Sequence, residues 1–221
     1  MLFIQGCNLQ QQNFSTDSNN LEVLLSNCEK ITDRDLRVKG ECYTRIAISL
    51  EDSSICKKIP YDPKSDCYTK IAVLKQDLSI CDTFDDKYCY GEVAAAKKDI
   101  SICNSMGYGT AKDSCFRAVA KVEKDFLTCD KIKESTILTN CYELVSMEIK
   151  NKSICDSINP NYKLYCLLGS AKGLLDVDLC GSTSDPNHCY FFIAIELKDR
   201  SLCDRLSLVS DKERCFNEID K

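Results

Sequence analysis

The chain has no tryptophan, one histidine (His188), eight glycines and four prolines among 221 residues. Each scarcity closes off a class of function. A single histidine limits metal and cofactor chemistry before any motif is sought, and no glycine-rich phosphate loop occurs. No CxxC, CxxxC or CxxCH is present, so zinc, iron–sulfur, haem and thiolate copper-store sites all lack their ligand spacing. No cofactor is expected. The net charge is −5 and no basic cluster stands out, which argues against a nucleic-acid partner. Nowhere does an apolar run approach the roughly 18 residues of a membrane span.

Cysteine is what the chain does have. Seventeen is about one residue in thirteen, a density that indicates disulfides formed in an oxidising, extracytoplasmic compartment. Cys7 stands apart from the rest. The other sixteen are Cys28, Cys42, Cys56, Cys67, Cys81, Cys89, Cys103, Cys115, Cys129, Cys141, Cys155, Cys166, Cys180, Cys189, Cys203 and Cys215. From Cys42 to Cys56, and in six later pairs ending with Cys189 to Cys203, the spacing is always fourteen. The intervals that precede, separate and follow these pairs vary from 8 to 14. Fixed spacings separated by elastic ones define a repeat with a period of 22 to 26 residues.

The constant part reads as helix. Its opening cysteine is offset zero. An aromatic follows at offset one (Tyr43, Tyr68, Tyr90, Phe116, Tyr142, Tyr190), an aliphatic at four and a small residue at five (Ala47, Ala72, Ala94, Ala120, Ser146, Ala171, Ala194). Apolar groups at zero, one, four and five share one face of an α-helix, and the small residue admits a neighbouring helix. Asp62-Pro63, Asp185-Pro186 and the run Ser210-Asp211-Lys212-Glu213 mark helix starts. At offset ten stands Asp52, Asp77, Asp99, Asp125, Asn151, Asp176 or Asp199, where the long helix should stop. Ser79-Ile80-Cys81-Asp82, Ser153-Ile154-Cys155-Asp156, Ser201-Leu202-Cys203-Asp204 and Ser26-Asn27-Cys28-Glu29 then resemble capping boxes. A short second helix is expected there, with its cysteine in the first turn.

Pairing follows from levels and from counting. The long helix runs about 13 Å from its opening cysteine before the chain turns, so bonding across the constant interval mismatches the two levels. Bonding across the variable interval gives 28–42, 56–67, 81–89, 103–115, 129–141, 155–166, 180–189 and 203–215, with none left over. The expected fold is all-α: an α-solenoid of about seven disulfide-stapled helical hairpins spanning residues 21–221.

Other residues weigh lightly. His188 is expected to face solvent in the first turn of its helix rather than to act as a base. The offset-ten carboxylates read as helix termination or capping rather than catalytic pairs, and the aromatic row reads as core. The unit from Cys166 to Cys180 departs most, with Leu167, Ser170, Gly169 and Gly173, and a local bend is expected there. The glycines would also permit close packing. Asn13-Phe14-Ser15 and Asn151-Lys152-Ser153 match glycosylation sequons.

The N-terminal Ile4-Gln5-Gly6-Cys7 resembles a lipoprotein lipobox, which implies a residual signal segment (1–7) with lipidation at Cys7. A polar tether over residues 8–20 follows; the alternative is a plain disordered terminus with a stray cysteine. In architecture, residues 21–221 resemble the tetratricopeptide superfamily, especially its disulfide-bridged secreted members, at a shorter period. The resemblance implies a scaffold that binds a protein or cell-envelope macromolecule and touches the membrane only through a lipid anchor. A cell-wall enzyme or enzyme inhibitor and a structural envelope protein are the alternatives. No catalytic residue is assigned.

Overall fold

One residue per repeat decides where each long helix ends. It lies at offset nine and takes left-handed backbone angles: Glu51, Gln76, Lys98, Lys124, Lys150, Leu175 and Lys198 all have φ between 51° and 58°. None is glycine, so each turn carries a conformational cost of roughly 1–2 kcal/mol that the surrounding contacts must offset. The offset follows from a Schellman closure. The N–H at offset ten donates to the carbonyl at offset five at 2.9 to 3.0 Å, as in Asp52 to Ala47, Asp99 to Ala94 and Asp199 to Ala194. Only the junction at Lys150 differs, donating to Ser146 instead.

The offset-ten side chain then opens the next helix. Every one of the seven accepts the N–H two residues on, at 2.8 to 3.2 Å. The sequence placed the cap on the following serine, and this is corrected. Ser79, Ser101 and Ser201 donate their hydroxyls to Asp77, Asp99 and Asp199 and do not cap. The short helices therefore start one residue after offset ten, and the cysteine is their fourth residue. Cys28 departs further, lying in the last turn of a twelve-residue helix where Ser26 bonds back to Val23.

A computed structural model of the protein describes residues 18–32, 35–60, 64–84 and 86–220. It is all-α, with no strand among the described residues. Two compact units divide after Asp86. The first holds α1 (Ser18–Glu29), α2 (Leu36–Leu50), a 3-10 helix (Ser53–Lys58), α3 (Lys64–Lys75) and α4 (Leu78–Asp82). The second begins with α5 (Lys87–Lys97), α6 (Ile100–Ser105), α7 (Thr110–Glu123), α8 (Phe126–Cys129) and α9 (Ser135–Ile149). After 3-10 turns at Lys152–Asp156 and Pro160–Tyr162 come α10 (Lys163–Leu174), another 3-10 helix (Val177–Ser182), α11 (Pro186–Leu197), α12 (Arg200–Cys203) and α13 (Val209–Ile219). Asp185 caps α11 through the His188 N–H, with Pro186 at its first position. The capping box expected at Ser210 does not form: α13 starts at Val209 and has no side-chain cap. The helix start expected at Asp62-Pro63 lies outside the described residues.

Long helices pack in chain order. In the first unit α1 meets α2 and α2 meets α3; in the second, α5 meets α7, α7 meets α9, α9 meets α10, α10 meets α11 and α11 meets α13. Their contact faces are the residues at offsets zero, four and five, such as Cys115, Val119 and Ala120, each 2% exposed or less. The junction of α9 with α10 is drawn closest. A Cβ built on Gly169 would lie 1.9 Å from the Glu143 carbonyl oxygen, and one on Gly173 2.3 Å from that of Met147. The two glycines, one helical turn apart, thus let two backbones touch, which accounts for both without invoking a break in α10. Buried Ser146 belongs to the same junction, while buried Ser170 sits 3.5 Å from the Cys155 sulfur. Ser146 replaces the usual alanine, and its hydroxyl donates to Glu143, beside the space Gly169 leaves.

Candidate functional site

The variable intervals are stapled loops. Bridges join Cys28 to Cys42, Cys56 to Cys67, Cys103 to Cys115, Cys129 to Cys141, Cys155 to Cys166, Cys180 to Cys189 and Cys203 to Cys215, with Cα atoms 5.4 to 5.8 Å apart. Cys81 and Cys89 are disulfide-bonded as well. Eight bridges point to an oxidising, extracytoplasmic environment. Cys7 lies outside the described residues, as do most of the polar segment and the Asn13 sequon. No helix among the described residues is long and apolar enough to cross a membrane.

In the second unit three pairs of consecutive stapled loops are tied together. The contact lies two residues ahead of the opening cysteine and reaches the fourth residue past the next short-helix cysteine. Asp113, 7% exposed, accepts the N–H groups of Lys133 (3.2 Å) and Glu134 (2.9 Å). Asn187 accepts from the Ser207 N–H at 3.1 Å and donates to its hydroxyl. At the corresponding place Leu164 uses its own carbonyl for the Ser184 N–H, at 3.2 Å. Sequence reading missed this brace. Its signal is small: a polar Asp113 or Asn187 two residues before a cysteine.

Two braced loop pairs enclose clefts. The larger, about 560 Å³, lies between the loops of the 103–115 and 129–141 bridges and is lined by Asn104, Tyr108, Thr110, Lys112, Phe116, Lys131 and Lys133 among others. Tyr108 stands 91% exposed between glycines 107 and 109, and the left-handed φ of +127° at Gly109 turns the chain into α7. The Lys112 and Lys133 ammoniums lie 5.7 and 5.1 Å from the Tyr108 ring centre. Lys112 also holds the Asn104 and Met106 carbonyls. The two carboxylates at the cleft are committed to backbone: Asp113 to the brace, and Glu134 to the Thr136 and Ile137 N–H groups at the start of α9. Those hydrogen bonds hold the Glu134 carboxyl below the usual range. Among the described residues no ion pair involves Lys112, Lys131 or Lys133. The smaller cleft, about 330 Å³, occupies the corresponding place between the 180–189 and 203–215 loops. Asn187, His188, Asp211 and Arg214 line it, and Arg214 lies over the Phe191 ring at 5.0 Å.

His188 faces solvent in the first turn of α11, as expected, and it also makes a contact. It is half exposed, and its Nε2 sits 3.0 Å from the ammonium of Lys172. Lys172 itself is 8% exposed, pairs with Glu143 at 2.6 Å and lies 4.6 Å from the Phe192 ring centre. This cluster joins α9, α10 and α11. It was not read from the sequence, because Lys172 occurs among ordinary surface-type lysines and only the close α9–α10 approach buries it. A lysine so engaged is a structural link between the three helices.

The offset-ten carboxylates all act as helix caps. Asn151, in the second sequon, is itself such a cap. Offset-one aromatics are packed: Tyr142 is stacked by Phe126 at 5.5 Å and Tyr162 at 4.6 Å, and its hydroxyl donates to Asp130. Burial, with that hydrogen bond second, pushes the Tyr142 phenol well above its ordinary pKa. Among the described residues no group of three metal-ligating side chains gathers. Neither a family model, nor a curated protein, nor a solved structure matches the chain.

Proposed function

We propose that the chain is an exported binding scaffold, anchored by lipid at Cys7 and tethered by residues 8–20, whose stapled units stack as a solenoid and engage another macromolecule. It acts by binding rather than by turnover. One observation carries the reading: two clefts recur at the same place in the repeat, each between consecutive stapled loops. The constant helices supply packing while the loops, free to vary in length, supply surface. Solenoid repeats commonly work in this way, with binding faces assembled from successive units. Within each unit the packing of long helices on their chain neighbours supports the stacked arrangement, and the eight bridges support export.

The test is site-directed photocrosslinking in cells that make the protein. A photoreactive residue at Tyr108, on a stapled loop, is compared with one at Val122, 43% exposed on α7. A saturable adduct with an envelope macromolecule from Tyr108 alone supports the scaffold. Adducts from neither position, or turnover of wall fragments by purified protein, contradict it.

A further inference from the structure

The larger cleft has a chemistry more specific than general macromolecule binding. We infer that it is a recognition site for an acidic saccharide, a sugar chain carrying carboxylate groups. The inference rests on the scaffold reading and names its ligand.

Charge comes first. The chain as a whole is acidic at −5, yet this cleft gathers three lysines with no carboxylate partner among the described residues. The two carboxylates lining it, Asp113 and Glu134, are turned to backbone N–H groups rather than to the lysines, and three ammoniums outnumber them. Lys131 and Lys133 are exposed, and Lys133 stands over the Tyr108 ring. Only Lys112 is tied down, and its bonds to two loop carbonyls fix the loop that carries Tyr108. The cleft is therefore prearranged to receive negative charge.

Shape comes second. Tyr108 offers almost its whole ring to solvent, on a loop closed by the Cys103–Cys115 disulfide. A tyrosine ring presents an apolar face and a polar tip on which a sugar ring can stack. The cleft contains no aliphatic side chain among Asn104, Tyr108, Thr110, Lys112, Lys131 and Lys133. A docking peptide helix needs aliphatic pockets for its anchors. A pyranose needs a flat aromatic face for its C–H groups, with hydroxyl, amide and ammonium groups at its rim. Tyr108 supplies the face; Asn104 and Thr110 supply the neutral rim; the lysines meet carboxylates.

The experiment uses the full oxidised chain and a trimer of galacturonate, followed by backbone NMR. The expected result is saturable shifts at residues 104–112 and 131–134, with a maltotriose control binding roughly tenfold more weakly for want of charge. Tyr108→Ala and the double change Lys131→Ser with Lys133→Ser should each weaken the uronate by about tenfold while leaving the rest of the spectrum in place. Tetraglutamate should bind more weakly than the uronate and should ignore Tyr108→Ala. Absence of saturable shifts overturns the inference, as does uronate binding that survives Tyr108→Ala or is matched by tetraglutamate. Such a failure leaves the scaffold reading standing if Tyr108 still crosslinks to an envelope macromolecule; loss of both sinks the two together.

Discussion

The same repeat position behaves differently at two adjacent junctions. Phe116 and Tyr142 both occupy offset one, yet Phe116 lines an open cleft while Tyr142 is stacked between Phe126 and Tyr162. The loop ahead of Cys115 carries glycines and an outward tyrosine; the loop ahead of Cys166 carries Asn159-Pro160 and folds Tyr162 inward as a 3-10 turn. The junction behind each differs as well. Asp113 links α7 to the loop before α9 through backbone hydrogen bonds, whereas α9 and α10 touch through Gly169, Gly173 and the Lys172–Glu143 pair. One fixed helical unit thus supports either a packed seam or a binding surface, and the loop sequence selects between them.

The largest expected effect falls on the packed seam. Lys172→Met leaves Glu143 without its ammonium in a site where both are nearly buried, and should cost about 3 kcal/mol or more. Adding Glu143→Leu should return most of that loss, since the uncompensated charge disappears. Chemical denaturation of the three proteins measures it. A Lys172→Met protein as stable as wild type would show that the pair contributes little.

Next is Gly169→Ala, which forces a methyl against the Glu143 carbonyl and should cost roughly 1–3 kcal/mol even after the better helix propensity of alanine. Gly107→Ala, whose methyl meets nothing within 4 Å, is the control and should be near neutral. Thermal unfolding of both separates close backbone contact from a generic glycine effect.

The open junction should respond less. Asp113→Ala leaves the partly buried N–H groups of Lys133 and Glu134 without their acceptor, at about 1–2 kcal/mol. Asp113→Asn should retain much of the brace, because Asn187 performs it in the later pair of loops. Amide exchange at residues 133 and 134 reports on it directly.

Helix caps should give the smallest effect. Serine hydroxyls first, and backbone N–H groups second, hold the Asp99 and Asp199 carboxyls below their ordinary pKa. A depressed folded-state pKa means that the caps contribute fully above the ordinary carboxylate value. Their contribution disappears as pH falls through the lowered value. Carboxyl NMR titration should find both groups below a reference aspartate, and Ser101→Ala should move Asp99 back towards it. Unshifted titration would contradict the cap geometry.

How much of this was legible in the sequence depended on repetition. Offsets zero, one, four and five recur, so the helix face and all-α class could be read from Cys115, Phe116, Val119 and Ala120. The helix end was legible only as an interval. Lys98 and Lys124 give no glycine signal for their left-handed turn; the surrounding Schellman and Asx bonds impose it. The cap was placed two residues late because Ser79 looks like a better capping residue than Asp77 when a carboxylate follows it. The cleft and the Lys172 cluster were illegible for another reason. Both depend on which loop or helix lies beside a given residue, and no single repeat contains that information. Gly169 and Gly173 came nearest to revealing it, as paired departures one turn apart.

The central claim is that stapled units depend on their chain neighbours alone, and hydrogen exchange on two disulfide variants tests it. Replacing Cys203 and Cys215 by serine should lower protection in α12, α13 and the adjoining part of α11. Replacing Cys103 and Cys115 should lower it in α6 and α7 and in their neighbours α5 and α9, leaving α12 and α13 protected. Each lost bridge should cost roughly 2–4 kcal/mol locally. Uniform loss of protection along the whole chain in both variants would mean a single cooperative core and would contradict the stacked-unit account.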